Sequence, residues 1–173
     1  MGIFDGKDHQ WIEISLAKLK EEIEAEIAGG VMDKLLFLLL NAMSLLFVIN
    51  KEFRKNIKDF KGSYVIRSED KTIDVSAVFK KVRVLLNEID GMEVKDHAIE
   101  NPTIQVTFKN GKAMADFLLS GKPDVIVGML DNQLSVSGNL NYLFKFVYMV
   151  LLIPELLGIK DFQKLVTKSL AAA

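Results

Sequence analysis

Apolar residues recur at helical spacing from Trp11 to Ala28, with Ile12, Leu16, Leu19, Ile23 and Ile27 on one side and Lys18, Lys20, Glu21, Glu22, Glu24 and Glu26 taking the other positions. The pattern predicts an amphipathic helix. Gly29 and Gly30 end it, because paired glycines are entropically costly inside a helix and readily supply a left-handed terminus. The next segment, Val31 to Ile49, is apolar nearly all round, with Lys34, Asn41, Ser44 and then Lys51 marking one narrow polar stripe. After it, "NKEFRKNIKDFKG" sets five basic residues against two acidic ones.

The period then changes from helical to two. In "TIDVSAVF", Ile73, Val75, Ala77 and Phe79 alternate with Thr72, Asp74, Ser76 and Val78; in "TIQVTF", Ile104, Val106 and Phe108 alternate with Thr103, Gln105 and Thr107. Both predict strands with one buried face. Weaker strand patterns cover Tyr64 to Arg67, Val82 to Ile89 and Leu134 to Ser137, the last preceded by the turn pair Asp131 and Asn132. Asn110 is placed to cap a short helix whose Met114, Phe117 and Leu118 form an apolar face, ended by Gly121 and Pro123. A long apolar helix follows Gly138 and Asn139 and runs to Ile153, where Pro154 would tighten or kink it, and Ile159 to Leu170 predicts a last amphipathic piece. The fold class expected is α+β: a helical extension over 1–50, then a mostly antiparallel sheet with helices on one face over 51–173.

The two apolar helices carry more hydrophobic surface than one sheet face can cover. In the later one Asn141, Lys145 and Tyr148 share a single stripe and nearly everything else is apolar. A bilayer span needs about 20 predominantly apolar residues. Leu35 to Ile49 is shorter and contains Asn41 and Ser44, while the later helix contains Lys145, Pro154 and Glu155, so buried helices are expected instead. The surplus would then face either an internal ligand or a second copy of the chain.

Length and composition agree with a self-sufficient core: 173 residues, half hydrophobic and about a quarter charged. A net charge of −1 and no aromatic-interleaved basic stripe leave nothing to draw in nucleic acid. With no Cys there are no disulfides, thiolate catalysis or Cys-ligated zinc, and with no secretory signal pattern a cytoplasmic address is expected. His9 and His97 are far apart in sequence, and Asp96, His97 and Glu100 read as a solvated loop rather than a metal site. Neither a nucleophile elbow nor a phosphate loop is visible, so no catalysis, cofactor or metal is expected. Lys51, Arg54, Lys55, Lys58 and Lys61, beside Phe53 and Phe60, have the makings of a transient contact with an anionic membrane.

Three stretches carry a family likeness. "PTIQVTF", "ADFLLSGKPD" and "MLDNQLSVSGNLNYLFKF" resemble, in order and spacing, the C-terminal half of the sterol carrier protein type-two lipid-transfer domain. Ser120, Gly121 and Lys122 match the Gly-Lys step after its short helix; Ser137, Gly138 and Asn139 match the Gly-Asn step before its apolar helix. The match covers Asn101 to Val150, with Asn56 to Glu100 agreeing in strand pattern alone. Asn132 stands where the family usually has Gly, and the N-terminal helices and Asn87 to Asn101 have no counterpart.

The resemblance implies a five-stranded sheet covered by helices that enclose an apolar tunnel, and a non-catalytic lipid-binding or transfer function. The ligand would be a fatty-acyl, sterol-like or isoprenoid lipid. Alternation then nominates Ile73, Val75, Phe79, Ile104, Val106 and Phe108 from the sheet, with Leu140, Leu143, Phe144 and Val147 from the helix above, as lipid-binding residues. A homodimer is expected. The rival expectations are a scaffold or oligomerisation module of the same fold without a ligand, and an accessory subunit presenting a lipid to an enzyme.

Overall fold

The period-two segments become a five-stranded sheet in the order β3-β2-β1-β4-β5, described by a computed structural model over residues 6–29, 34–119, 123–160, 162 and 164. The strands are β1 (Gly62–Ser68), β2 (Asp74–Val84), β3 (Asn87–Lys95), β4 (Ile104–Phe108) and β5 (Leu134–Ser137). Three of the pairings are antiparallel, and β1 with β4 is parallel. That parallel pair follows from chain order, since β4 is reached from β3 only by crossing β2 and β1. The crossing segment is tied to the back of the sheet by buried Ser76, whose hydroxyl donates to His97 O (2.6 Å) and accepts from Ile99 N (3.0 Å).

One expectation fails here. Val82 to Ile89 is not a strand: β2 ends at Val84, Leu85 and Leu86 form a two-residue turn, and β3 begins at Asn87. The strand was hidden because its apolar residues change face. Asp90, Met92 and Val94 lie opposite Lys81, Phe79 and Ala77, whereas Ile89 lies opposite Val82 on the other face. Gly91 is required there, because a Cβ would sit 2.4 Å from Val82 Cγ2.

The helices are α1 (Gly6–Ala28), α2 (Leu35–Ile49), α3 (Lys51–Arg54), α4 (Gly111–Leu119), α5 (Val125–Leu130) and α6 (Leu140–Leu156), with one 3-10 turn at Lys55–Ile57. α6 runs through Pro154 to Leu156 rather than ending at Ile153, since a proline in the last turn forfeits one hydrogen bond without breaking the rod. The terminal piece expected over Ile159 to Leu170, and the step at Ser120 to Lys122, fall largely or wholly outside the described residues. α5 had no sequence expectation; Asp124 caps it by accepting from Val127 N at 3.0 Å. Asn110 caps α4 as expected, accepting from Ala113 N at 2.8 Å.

α2 decides the arrangement. It lies over β3 and β2 and also meets α1 and α6, so the helical extension and the sheet share one continuous core. The polar stripe along α2 has a use: Ser44 donates to Met92 O at 2.7 Å, pinning the helix to β3, while Asn41 returns to Phe37 O within its own helix. Such a hydrogen bond contributes about 1 kcal/mol net. Leu35, Leu36, Leu39, Leu40, Met43 and Phe47 are all buried. Among the described residues no single helix is long and apolar enough to cross a membrane, and α2 together with the turn after it bends by 103°.

Candidate functional site

Under α2, the β2 half of the sheet is filled solid by rings. Phe79 sits edge-on to Phe60 (5.2 Å), Tyr64 (5.5 Å), Phe47 (6.1 Å) and Phe146 (6.3 Å), and Tyr64 stacks on Phe146 at 4.5 Å. Each such pair contributes about 0.5–1.5 kcal/mol beyond burial. The Tyr64 hydroxyl donates to Tyr142 O at 2.9 Å, fastening the first turn of α6 to β1. Burial first, and then the neighbouring Tyr142, push that phenol above its ordinary range, so it stays a neutral donor.

The β4 half is different, because α6 and α4 leave a gap above it. Val106 and Phe108 present one face of β4, and Ile66 and Leu134 flank them from β1 and β5. Leu143, Phe146, Val147 and Val150 recur along α6 at the spacing of one face; Met114, Phe117 and Leu118 do the same on α4. With Leu36 from α2 they line a partly open cavity of about 30 Å³ with no polar side chain in its wall. That space holds a few water-sized groups.

Leu118 and Val150 are also part of a second, outer space. It is a groove of about 600 Å³ among the described residues, floored by Leu39, Leu118, Val150, Leu151, Pro154, Ile159 and Phe162. Glu155, Lys160 and Lys164 stand on its rim. A volume of that order matches small-molecule sites, which run from about 300 to 1,000 Å³. The two spaces therefore share two apolar side chains, Leu118 and Val150, in their walls.

Of the sequence-nominated residues, Val106, Phe108, Leu143 and Val147 line the cavity. Ile73, Val75, Phe79 and Ile104 are buried elsewhere in the core: Phe79 in the ring cluster, and Ile104 against the backbone at Gly138. Leu140 is half-buried in the first turn of α6 and outside the cavity wall. Phe144 is a correction. It is 44% exposed, because the face made by residues 143, 146, 147 and 150 turns residue 144 away from the sheet.

Sequence reasoning missed the other eight wall residues, among them Leu36, Leu118, Phe146 and Val150. Phe146 and Val150 were reachable by extending the spacing from Leu143, and Leu118 had already been read as part of an apolar helix face. Leu36 and Leu39 belong to a segment separated from β4 by more than sixty residues, and nothing local marks them as neighbours of it.

Little else in the described residues carries chemistry. His97 is exposed and bonds Asp96 at 3.1 Å. Asp96, His97 and Glu100 do not converge, and among the described residues no cluster of three His, Cys, Asp or Glu is arranged to hold a metal. The His9 side chain lies outside the described residues.

No protein-family model and no curated protein matches the sequence. Among solved structures, the chain is similar to the solution structure of a conserved hypothetical protein from Thermus thermophilus, described as a possible sterol carrier protein. The identity is 14%, the TM-score 0.38, and the match covers 78% of this chain and 86% of that one.

Proposed function

We propose that this protein binds the hydrocarbon chain of a lipid, without catalysis, by seating it in the groove beside α6 and threading its end into the cavity between α6 and β4. The observation that carries the reading is the junction at Leu118 and Val150, where a groove large enough for a ligand meets an interior with no polar wall. The motif resemblance in residues 101–150 supports the same class of cargo, a fatty-acyl, sterol-like or isoprenoid lipid. With the cavity this small, most of the chain lies in the groove. Burying each methylene contributes about 0.8 kcal/mol, so a sixteen-carbon chain gains about 12 kcal/mol, which leaves micromolar binding after about 4 kcal/mol of association cost. Lys160, exposed where it lines the groove, suits a carboxylate or phosphate head.

Native mass spectrometry of the purified protein tests this, followed by extraction of whatever is bound and titration with a fluorescent fatty acid. A stoichiometric lipid adduct or saturable uptake is expected. A bare protein that also takes up no fatty acid refutes the proposal.

One observation favours a second reading, self-association as a scaffold. Phe144, Tyr148 and Leu151 make an exposed apolar stripe on α6, 44%, 57% and 36% exposed. On that reading Tyr148→Arg converts a homodimer to a monomer in light scattering and leaves fatty-acid uptake as it was.

A further inference from the structure

The β2–β3 hairpin ends in a turn that its residues are ill suited to form. Leu85 has φ of 55°, a left-handed conformation that a bulky side chain rarely adopts, at the first position of a two-residue hairpin loop where Gly is preferred. Leu86 beside it is 90% exposed and Leu85 is 54% exposed. Two leucines therefore occupy the tip of a ribbon, with no core to bury them and at a cost in backbone strain. Sparsely populated backbone conformations held in this way point to function.

The surroundings say what kind. Pairing between β1 and β2 stops at Gly62 with Phe79, so beyond Phe79 the hairpin overhangs the sheet as two strands. The basic segment found in the sequence lies at the base of that overhang, where Lys81 reaches Asp59 at 3.4 Å. Lys58 and Lys61 flank Asp59 and are exposed. From Lys81 to Leu85 is four residues, about 13 Å of strand. A bilayer's headgroup layer is roughly 5–7 Å deep on each side. With the leucines just past that layer, the base of the overhang with Lys58 and Lys61 lies about 6–8 Å outside it, within the screening length of about 8–10 Å.

We infer that the Leu85–Leu86 tip and the basic segment at 51–61 form one docking surface for an anionic lipid bilayer, the leucines inserting and the lysines contacting the headgroups. Charge complementarity selects this occupant over a protein groove, because an apolar tip backed by a cationic base matches the interface of an anionic membrane. The surface is separate from the α6 groove, so the inference stands whether or not that groove holds lipid.

The test is co-sedimentation of the full chain with phosphatidylcholine vesicles, with and without about a third phosphatidylserine, the composition that sets the surface potential. Binding is expected with phosphatidylserine only, and it should fade as salt rises toward about 1 M, where screening is nearly complete. Replacing the tip by Leu85→Gly with Leu86→Asn should lower partitioning roughly 30-fold, while the unfolding temperature holds or rises because the turn is relieved. Lys58→Glu with Lys61→Glu should lower it also and remove the salt dependence. The inference is overturned if the wild-type chain ignores anionic vesicles, if the tip variant binds as well as wild type, or if that variant changes only the oligomeric state.

Discussion

Leu118→Ala probes the junction between groove and cavity with two effects of opposite sign. Leu118 is 8% exposed and contributes to the wall of both spaces. Truncating a buried leucine costs about 2–5 kcal/mol, with the larger values where a closed void remains. Here the void joins a groove of about 600 Å³, so water or ligand can enter it and the lower end, about 2–3 kcal/mol, is expected. For a chain of 173 residues that is a fall of about 5–10 °C in unfolding temperature. Ligand binding should move the other way. Opening the junction lets two or three further methylenes leave water, about 2 kcal/mol at about 0.8 each, or some 30-fold in affinity. Urea unfolding reads the first effect and titration with a fluorescent fatty acid the second. Loss of stability with unchanged or weaker fatty-acid binding refutes the route from groove to cavity, because leucine then acts as core and nothing passes it.

Other perturbations test the supporting structure. Gly138 has φ of 118°, and a Cβ there would lie 2.5 Å from Thr103 O and 2.6 Å from Ile104 Cδ1; Gly138→Ala should cost about 2–4 kcal/mol in urea unfolding, and a cost below about 0.5 kcal/mol contradicts the geometry. Tyr64→Phe removes the bond to Tyr142 O and should cost about 1 kcal/mol while leaving far-ultraviolet circular dichroism unchanged; an unchanged midpoint argues that the hydroxyl does not anchor α6. Asp70 accepts from Ser68 Oγ (2.6 Å) and from Thr72 Oγ1 (2.9 Å) and N (3.2 Å), and these bonds, Ser68's foremost, hold its carboxyl below the usual range. A carboxyl depressed on folding stabilises above its unfolded pKa of about 3.9 and loses that contribution as pH falls through the lower folded value. Asp70→Asn should therefore lower the unfolding temperature at neutral pH, with the gap closing in strong acid; a gap that persists there means the charge is not responsible.

Elements whose pattern is local could be read from the residues alone. Alternation at residues 73–79 and 104–108 requires strands, because side chains two apart share a face. The apolar run at 35–49 requires a buried helix, and Asn110, Gly138 and Asn139 act as cap, turn and start because their backbone chemistry suits those places. Asn132, at φ of 54°, keeps the turn that its tolerance of left-handed geometry allows. β3 escaped because the hydrophobic side switches between Ile89 and Met92 where the hairpin leaves the sheet, a change only the neighbouring strands reveal.

The site was legible by halves for a related reason. Alternation showed that Val75, Phe79, Val106 and Phe108 all face inward, and they are all buried. Which of them meet a cavity depends on what lies above: α2 and the rings of Phe47, Phe60 and Tyr64 fill the β2 side, whereas α6 and α4 leave space over β4. Inwardness follows from strand geometry. Emptiness follows from how side chains distant in sequence share a volume, and that was settled only when the helices packed on the sheet.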